Sequence, residues 1–548
     1  MRPGPASRGG TEVHGDGPGS PVDWGLVTAI DPGPGPVPLA DLADLIGSPL
    51  GGDPGPVSGR GVTLASGEVV PGDLYAALPG TRTHGVRYVG DAVARGAVAV
   101  LTDPTGRDDA LVAGVPVCVV DDPRAVLGAV ADRIHDEPSA RLAILGITGT
   151  NGKTTTSYLV ESGLAAAGRG TGLIGTVATR TRGTDAAGVP TVTTLPSVRT
   201  TPEAPALHAL LAEMAGNGVE SVVMEVSSHA LVQGRVGGVR FAAVGFTNLG
   251  RDHLDFHRDL EDYFQAKALL FDGRADVEVV VVDDDAGRRL AGRPDRPRPV
   301  TVSIEDAGAD WWADGIGATP DGGSSFTLHG PGDRSWAARL RLPGRFNVSN
   351  ACLAVALLDA VGVPVETALA GVAETVVPGR MEPVDAGQPF VAVVDYAHTP
   401  DAVRTALTAL RAATPGRLIT VLGCGGDRDP GKRAEMGAAA ALGSDVLVVT
   451  DDNPRSEDPA AIRAAMLAGA LDVAADQRAD VLEVGDRRAA LAAAAGLAGA
   501  GDTVLVAGKG HETGQEIAGQ VLPFDDREVL RDVLRELAGA PPAQGENL

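Results

Sequence analysis

Short apolar runs recur along most of the chain, and stretches with helical periodicity separate many of them. This alternation is typical of α/β domains built on a parallel sheet. The runs predict a small α/β domain over residues 39–137, a second α/β domain over 138–377 and a doubly wound domain over 378–540. Within the second domain, residues 306–339 predict a β-rich excursion with glycine turns.

The predicted strands are the apolar runs bounded by glycine, proline or polar residues. They lie near Gly61–Leu64, Leu74–Ala77, Ala97–Leu101, Val115–Val120, Ser221–Val226, Ala242–Asn248, Val277–Asp283, Phe390–Asp395, Leu418–Gly423, Asp445–Thr450, Val481–Val484 and Thr503–Ala507.

The two ends of the chain do not follow this pattern. Residues 1–38 contain 17 glycines and prolines and too little apolar surface to offset the entropy of the chain, so they predict a disordered tail. We expect residues 541–548 to be a frayed tail. The length of 548 residues exceeds what one core supports, which agrees with several domains.

The net charge of −25 at pH 7 argues against a nucleic acid or an anionic membrane as partner, because both carry the same sign of charge. No apolar run approaches the roughly 18 residues of a membrane-spanning helix, and residues 1–38 contain no apolar signal core. Three cysteines lie far apart and form no disulfide framework. We therefore expect a cytoplasmic protein without membrane insertion.

Arginine supplies nearly all the positive charge, since only Lys153, Lys267, Lys432 and Lys509 among the 46 basic residues are lysine. A primary amine or a compact point charge does what a guanidinium cannot, so each remaining lysine is a candidate for function. Chance is the alternative explanation. Three of the four, however, follow apolar runs in glycine-rich turns.

The run Leu142–Thr148 ends in the glycine-rich turn Gly149-Thr-Asn-Gly-Lys-Thr154, and a helical pattern follows. This order predicts a phosphate-binding loop, in which backbone N–H groups and a helix N-terminus surround an anion. We expect Lys153 to reach the terminal phosphates and Thr154 to hold Mg²⁺. The strict spacing places glycine where the chain has Ile147, and Gly146 lies one residue early. A tight strand-to-helix turn is the alternative, but the lysine and threonine favour phosphate binding.

Polar residues follow many of the apolar runs in the last two domains. Because ligands of open α/β sheets bind at the carboxyl ends of strands, two such sheets that face each other predict a cleft, with nucleotide on one wall and an acceptor on the other. The polar strand ends are residues 225–229, 248–253, 395–398, 425–428, 452–455 and 508–512.

Glu225 ends a predicted strand, and a carboxylate there can bind Mg²⁺ beside Thr154. A helix N-cap cluster built on Ser227 and Ser228 is the alternative. The presence of the phosphate loop favours the metal.

His253 and His257 are four residues apart, a spacing that suits zinc on a helix. The stretch offers no third ligand and no cysteine cluster, so we reject zinc. A purely structural turn stays open as an interpretation of this segment.

Lys267 lies in an apolar helical stretch, where burial lowers the pKa of an amine and makes it reactive. It then acts as a base or takes up CO₂ to become a carbamate. A lysine whose stem is buried and whose ammonium reaches solvent is the alternative. The rarity of lysine favours function.

Asn347 and Asn350 precede an Ala/Leu-rich helix. They can contact a nucleobase or cap that helix, and capping is the simpler interpretation of this pattern alone.

Together these stretches resemble the Mur ligases, the ATP-dependent amino-acid ligases of peptidoglycan and cell-wall synthesis. Residues 452–455 (Asp-Asn-Pro-Arg) and 508–512 (Gly-Lys-Gly-His-Glu) resemble the branch of the family that adds diaminopimelate. The likeness spans about residues 60–535. Its other motifs are Gly149-Thr-Asn-Gly-Lys-Thr154, Glu225-Val-Ser-Ser-His229, Asn248-Leu-Gly-Arg-Asp-His-Leu-Asp255, Arg345-Phe-Asn-Val-Ser-Asn350, Gly379-Arg-Met-Glu382 and Asp395-Tyr-Ala-His398.

The resemblance implies a UDP-sugar-binding domain, a central P-loop ATPase-like domain and a C-terminal Rossmann-like domain for the amino acid. It implies that ATP, with Mg²⁺, phosphorylates the D-glutamate γ-carboxylate of UDP-N-acetylmuramoyl-L-alanyl-D-glutamate. The diaminopimelate amine then attacks the acyl phosphate and gives an amide, ADP and phosphate. A monomer is expected.

The same resemblance implies roles for individual residues. Lys153, Lys267 and His253 are the expected catalytic residues, and Lys267 is expected as the N6-carboxylated lysine that holds a second Mg²⁺ with His253. The first Mg²⁺ falls to Thr154 and Glu225. The expected ATP contacts are Gly149, Thr150, Asn151, Gly152, Lys153, Thr154, Thr155, Asn347, Arg380 and Asp395. The expected muramoyl-dipeptide contacts are Ser66, Thr200, Thr201, Ser227, Gln233 and Arg235. The expected diaminopimelate contacts are Arg428, Asp452, Asn453, Pro454, Arg455, Gly508 and Glu512.

The first domain departs from the family pattern, which usually has Asp-Ser-Arg near the uridine. Here the stretch is Ala65-Ser66-Gly67, so only the serine is retained. Two other classes compete with this interpretation. A folylpolyglutamate synthetase has a similar phosphate loop but lacks the Asp-Asn-Pro-Arg motif, and a non-catalytic nucleotide-binding module has no need for Lys267, His253 and Glu225 together.

Overall fold

A computed structural model describes residues 35–539 except 49, 52–57, 81, 186–187, 255, 295 and 320–321. Among the described residues, three large sheets follow one another along the chain, apolar clusters cover both faces of each, and two further sheets have only two strands. The α/β fold class expected from the alternating pattern is confirmed. Within these ranges no helix is long and apolar enough to cross a bilayer.

The first domain is a small sheet between two helical layers. Its strands are β1 (Val37–Pro38), β2 (Leu50–Gly51), β3 (Ser58–Gly59), β4 (Gly61–Thr63), β5 (Asp73–Ala77), β6 (Ala99–Thr102) and β7 (Val117–Val119), and its helices are α1 (Leu39–Ile46), α2 (Val89–Ala94), α3 (Arg107–Leu111) and α4 (Pro123–Ile134). The strand order is β2-β7-β6-β5-β4, with β4 to β7 parallel.

The start of this domain corrects the predicted tail. Val37 and Pro38 form β1, which pairs with β3, and Val37 is only 5% exposed in the core beside Leu39 and Leu42. The tail prediction is wrong for these two residues. It rests on the average composition of residues 1–38, which does not reveal that a single valine packs against the first helix. The remaining predicted tails at 1–34 and 541–548 lie outside the described residues.

The central domain carries an 11-stranded sheet. Its strands are β8 (Ala143–Thr148), β9 (Thr171–Ile174), β10 (Ala178–Thr184), β11 (Pro190–Pro196), β12 (Ser221–Glu225), β13 (Phe241–Phe246), β14 (Ala275–Val281), β15 (Val300–Ser303), β16 (Trp311–Ala318), β17 (Ser324–Gly330) and β18 (Arg334–Leu340). Its helices are α5 (Lys153–Ala166), α6 (Ala204–Gly216), α7 (Ser228–Val232), α8 (Leu260–Ala268), α9 (Asp285–Ala291), α10 (Arg345–Ala360) and α11 (Val365–Ala373).

Parallel strands form the middle of this sheet, in the order β9-β12-β8-β13-β14-β15-β16. The antiparallel strands β10 and β11 extend one end, and the β16–β18 meander extends the other. The β-rich excursion over 306–339 is therefore confirmed. Sequence analysis missed β10 and β11, because β11 is exposed at every position and has no apolar alternation to detect.

The C-terminal domain is a doubly wound sheet in the order β19-β20-β24-β21-β22-β23, parallel except for β19. Its strands are β19 (Glu382–Pro383), β20 (Val391–Asp395), β21 (Leu418–Leu422), β22 (Val446–Val449), β23 (Asp480–Glu483), β24 (Thr503–Ala507), β25 (Gly514–Ile517) and β26 (Gln520–Pro523). Its helices are α12 (Pro400–Ala413), α13 (Lys432–Gly443), α14 (Pro459–Asp472), α15 (Arg487–Leu497) and α16 (Asp526–Leu537).

Candidate active site

The phosphate loop lies between the buried strand β8 and helix α5. Gly149 (φ 149°) and Gly152 (φ 87°) have positive φ angles, and a Cβ on either would collide with Thr247 or Asn350. Ile147 is fully buried inside β8, so the turn begins only at Gly149. Position 147, where the strict motif has glycine, is therefore still part of strand β8 and not of the turn.

Asn248 holds the outer side of the loop, a role that sequence analysis did not assign. Its carbonyl oxygen accepts from Thr150 N at 2.9 Å and its side-chain oxygen accepts from Asn151 N at 3.0 Å. The backbone N–H groups of these two predicted ATP contacts therefore have partners within the protein. The first turn of α5, which begins at Lys153, is left to offer its N–H groups to an anion.

The amines of Lys153 and Lys267 share one acceptor. The carbonyl oxygen of Gly149 accepts from Lys153 Nζ at 2.8 Å and from Lys267 Nζ at 2.7 Å. Lys267 is 1% exposed and its Nζ lies 4.3 Å from the centre of the Tyr263 ring. Burial, and then the charge of Lys153, hold the pKa of Lys267 well below its usual range. The predicted burial and lowered pKa of this amine are confirmed, whereas its carbamylation stays a prediction.

Glu225 closes the loop on the side of β12. Its carboxylate accepts from Thr154 Oγ1 at 3.0 Å, and from Thr176 N at 2.8 Å and Thr176 Oγ1 at 2.9 Å. A threonine hydroxyl beside a carboxylate is a hard oxygen pair that fits Mg²⁺, which takes one or two carboxylates together with phosphate and water. Ser227 is the N-cap of α7, since its Oγ accepts from Ala230 N, and Glu225 takes no part in this cap.

The segment around His253 is a turn and not a helix. His253 has a φ of 54°, and its carbonyl oxygen accepts from His257 N at 2.9 Å. His257 is buried against Ser228 Oγ at 2.9 Å, while the His253 side chain is 45% exposed and lies near Asp252. In the described part of the chain no group of three His, Cys, Asp or Glu residues could hold a metal. The predicted second Mg²⁺ site at His253 and Lys267, which requires a carbamate on the lysine, stays a prediction.

Asn347 and Asn350 do not cap α10. The N-cap is Gly344, and Asn347 Nδ2 donates to Pro343 O at 2.8 Å from inside the helix. Asn350 Nδ2 donates to Asn347 Oδ1 at 3.3 Å, and its Oδ1 lies against Gly152 of the phosphate loop. Capping is therefore wrong, because the backbone already turns into the helix at a glycine, and the Asn350 amide instead packs beside the loop.

The C-terminal domain contributes Arg380 and Asp395. Asp395 at the end of β20 accepts from Met381 N and Ala397 N, each at 2.8 Å, and burial raises the pKa of its carboxyl group. The Arg380 guanidinium carbon lies 4.2 Å from the centre of the Tyr396 ring. Both predicted ATP contacts are thus held on adjacent loops of one sheet edge.

Asp252 of the central domain lies close enough to His398 of the C-terminal domain for the two groups to affect each other's pKa. Burial alone would raise the pKa of its carboxyl group, but the neighbouring charges of His253, His398 and Lys153 lower that pKa overall. His398 belongs to the C-terminal domain, and its carbonyl oxygen accepts from Lys432 Nζ at 3.0 Å. The carboxyl-end loops of the two sheets therefore face each other, as the polar strand ends predict.

Lys509 lies at the centre of the predicted diaminopimelate site. It is fully buried and donates to Asn453 Oδ1 at 3.0 Å, Glu512 Oε2 at 3.3 Å and Gly514 O at 2.6 Å, with Asp452 Oδ1 at 3.7 Å. This cation offsets two carboxylates that sequence analysis assigned to the ligand. The sequence assigns no role to Lys509, and the scarcity of lysine in the chain is the one signal that could have identified it.

Arg455 has a φ of 53° and is fixed from both sides. Its Nη1 donates to Gly426 O at 2.7 Å and its Nε lies 3.2 Å from Glu516 Oε2. Pro454 packs its carbonyl against Gly426, and Arg428 lies exposed on the same loop. Gly508, with a φ of 114°, has no room for a Cβ beside Asp452.

Four of the predicted muramoyl-dipeptide residues form one hydrogen-bonded group in the central domain. Thr201 Oγ1 donates to Glu225 O at 2.9 Å and accepts from Ser227 N at 3.1 Å. Arg235 donates to Thr201 O at 3.0 Å and to Gln233 Oε1 at 2.6 Å. The other two predicted dipeptide contacts are not part of this group. Thr200 Oγ1 is 3.1 Å from Thr176 Oγ1, and Ser66 lies in the first domain, where its hydroxyl helps to lower the pKa of Asp91.

A phosphate loop that faces a second α/β domain across a polar cleft is the arrangement of a nucleotide-dependent enzyme with more than one substrate. Three family models match the chain: the Mur ligase family catalytic domain over residues 59–135, the Mur ligase middle domain over 147–358 and the Mur ligase glutamate ligase domain over 379–510. The chain belongs to the Mur ligase family.

Its relatives include two enzymes named UDP-N-acetylmuramoyl-L-alanyl-D-glutamate–2,6-diaminopimelate ligase. That of Streptomyces coelicolor is 53% identical over 92% of this chain and 97% of its own length. That of Corynebacterium glutamicum is 50% identical over 84% of this chain and 89% of its own length. A solved structure with the same enzyme name has a TM-score of 0.64 at 32% identity and covers 88% of this chain and 96% of its own.

A folylpolyglutamate synthase of Mycobacterium tuberculosis has a TM-score of 0.54 at 18% identity, over 76% of this chain and 96% of its own. This likeness shows a shared fold alone.

Proposed function

We propose that this protein is an ATP-dependent ligase that adds meso-2,6-diaminopimelate to the D-glutamate γ-carboxylate of UDP-N-acetylmuramoyl-L-alanyl-D-glutamate. The observation that carries the proposal is the pairing of a phosphate loop with a second polar sheet edge that holds Arg455 and Glu512. The 53% identity to a ligase with this name supports the choice of substrates.

The central domain performs the phosphoryl transfer. Lys153 and the first-turn N–H groups of α5 neutralise the charge of the phosphates, and Thr154 and Glu225 are the residues that would hold Mg²⁺. When bound, Mg²⁺ supplies positive charge to the phosphate oxygens. The γ-phosphoryl group passes to the D-glutamate γ-carboxylate and ADP leaves. Catalysis at this step is mostly positioning of the two substrates.

Amide formation follows at the cleft. The neutral amine of diaminopimelate attacks the acyl phosphate carbonyl, the C–N bond forms, and inorganic phosphate leaves as the C–O bond breaks. We assign Asn347, Arg380 and Asp395 to ATP and Thr200, Thr201, Ser227, Gln233 and Arg235 to the muramoyl dipeptide. Ser66 is the uridine-side contact of the first domain.

The amino-acid site discriminates by its charged groups. Diaminopimelate is lysine with a second carboxylate at its far end, so a site for it needs a cation for that carboxylate and an acceptor for the adjacent ammonium. Arg455, which contacts Gly426 O and Glu516, suits the carboxylate, and the exposed Arg428 assists it. Glu512 and the Gly508 carbonyl suit the ammonium. Lysine keeps the far ammonium but lacks the carboxylate, so it leaves Arg455 without that partner, which supports discrimination of about 10⁴ or more.

We further propose that Lys267 acts as a carbamate and that, with His253, it would hold a second Mg²⁺. A buried amine with a lowered pKa is the chemical prerequisite for uptake of CO₂. The proposal includes a monomer that acts in the cytoplasm, where three unpaired, buried cysteines suit a reducing environment.

Phosphate release from ATP tests the function when each of several amino acids is offered with the UDP-muramoyl dipeptide. We expect release to require both the dipeptide and diaminopimelate, with kcat/KM for lysine lower by about 10⁴. Arg455→Ala should lose most kcat/KM for diaminopimelate without comparable gain for lysine. Release without any amino acid would favour a nucleotide-binding module, and use of a folate acceptor would favour the folylpolyglutamate class.

A further inference from the structure

Thr176, in the turn between β9 and β10, makes three hydrogen-bond contacts to two residues of the site and belongs to none of the motifs described above. Its N–H donates to Glu225 Oε1 at 2.8 Å and its hydroxyl donates to Glu225 Oε2 at 2.9 Å. The same hydroxyl lies 3.1 Å from Thr200 Oγ1. Thr176 therefore donates hydrogen bonds to both carboxylate oxygens of Glu225 and also contacts Thr200, which is assigned to the muramoyl dipeptide.

The number of protons on each group sets the direction of these hydrogen bonds. A carboxylate only accepts hydrogen bonds, so Thr176 must donate its single hydroxyl proton to Glu225 Oε2. In the contact between the two threonines, Thr200 must then be the donor. The proton of Thr154 also points at Glu225 Oε2, at 3.0 Å, so the lone pairs of Thr154 point elsewhere. The chain of hydroxyls runs in one direction, from Thr200 through Thr176 to Glu225.

We propose that Thr176 is a positioning residue for the ligase reaction: it fixes both oxygens of Glu225 beside Thr154 and orients Thr200 as a hydrogen-bond acceptor toward the muramoyl dipeptide. This inference rests on the proposed function, since it takes Glu225 and Thr200 as the metal-side and dipeptide-side residues of that reaction. Groups that orient a metal-binding carboxylate typically change metal affinity or activity by 10- to 100-fold when removed. Thr200, with its proton committed to Thr176, offers only lone pairs to the substrate.

The test compares Thr176→Val, which keeps the shape and the N–H but loses the hydroxyl, with Thr176→Ser, which keeps both donors. Full-length protein is titrated with Mg²⁺ at a fixed concentration of adenylyl imidodiphosphate, and the rise in Tm is followed. We expect Thr176→Val to need about 10- to 100-fold more Mg²⁺ for half of the Tm rise, and Thr176→Ser to restore it. Steady-state ligation should show the same order of variants.

Thr171→Val is the matched control. Thr171 lies on β9, is fully buried, and its hydroxyl makes no hydrogen bond in the described part of the chain. The control should leave the Mg²⁺ requirement unchanged, and the Tm in EDTA should be similar for all three variants. If Thr176→Val lowers the Tm in EDTA, Thr176→Ala replaces it in the titration. A wild-type Mg²⁺ requirement in the variant without the hydroxyl, or equal defects in the Val and Ser variants, would overturn the inference. Failure of the wild-type protein to ligate diaminopimelate would instead overturn the proposed function.

Discussion

At the scale of single residues, one carbonyl oxygen connects the two lysines of the central domain. Gly149 O accepts from Lys153, at the start of α5, and from Lys267, on α8. Lys267 is 1% exposed and Lys153 is half-buried, and burial lowers the pKa of each amine. Their expected roles nevertheless differ, because Lys153 also hydrogen bonds to Thr150 within the loop, whereas Lys267 reaches the loop from a separate helix.

Lys153→Ala should lower kcat by at least about 10²- to 10³-fold, because the loop loses the charge that stabilises the transferred phosphoryl group. The Tm should stay close to that of the wild-type protein, since the lysine supplies charge and little packing. Phosphate release and a thermal scan measure the two quantities. Near-normal ligation by this variant would remove the phosphate-loop assignment.

Lys267→Ala should be nearly inactive, and short carboxylates such as acetate should partly restore turnover by standing in for a carbamate. Lys267→Arg should be as inactive as the alanine variant, because a guanidinium keeps the positive charge but does not take up CO₂. Ligation rates with and without added acetate measure this. Full activity of the arginine variant would show that a positive charge is sufficient and that no carbamate is needed.

At the scale of elements, α13 and α14 approach each other closely through paired glycines. A Cβ on Gly437 would collide with Met466 O, and one on Gly469 would collide with the Ala434 backbone. Both glycines are helical positions where alanine is intrinsically preferred. Their presence therefore reflects the packing of one helix on the other and not the formation of either helix.

Gly469→Ala should destabilise the C-terminal domain by about 1–3 kcal/mol, because the added methyl group must push two backbones apart. Gly496→Ala in α15 is the control, since a Cβ there meets open space. The control should gain about 0.5–1 kcal/mol from helix propensity. Urea unfolding followed by circular dichroism measures both, and equal effects at the two positions would contradict the packing argument.

At the scale of the whole molecule, the first domain docks on the central domain through α4. Gly128 of α4 lies against the backbone of Gly237, and Arg124 pairs with Glu203. Two histidines, the fully buried His208 and the half-buried His135, lie at the same junction. His208 is fully buried with its Nδ1 3.3 Å from Asp132, and burial together with His208 lowers the pKa of His135 to about 4.

This lowered pKa predicts acid sensitivity. The unfolded chain protonates His135 below its ordinary pKa of about 6.5, whereas the folded chain resists protonation until about pH 4. Stability contributed by neutral His135 is therefore present above about pH 6.5 and lost as the pH falls toward 4. Allowing for partial solvent screening, the loss at pH 5 is on the order of 1 kcal/mol. Tm measured from pH 7.5 to 5 should fall less steeply in His135→Gln, and an unchanged slope would contradict this.

Hydrophobic patterning alone predicted the α/β class, the order of the three sheets and most parallel strands. Buried parallel strands read as continuous apolar runs, so β8, β12, β13 and β24 were located to within two residues. The exposed hairpin β10–β11 and the short ribbon β25–β26 carry no such signal. These two hairpins nevertheless contribute to the site, because Thr176 lies just before β10 and Glu516 of β25 holds Arg455.

Local chemistry in the sequence determined which residues are candidates, because glycine freedom, a loop lysine and polar strand ends are properties of a few neighbouring residues. Tertiary structure alone decided their partners. The contacts of Lys509 with Asp452, of Asn248 with the phosphate loop and of Thr176 with Glu225 join residues far apart in the chain. A local sequence pattern does not predict such contacts. Burial and hydrogen-bond direction are set only when distant strands bring the groups within about 3–4 Å of each other.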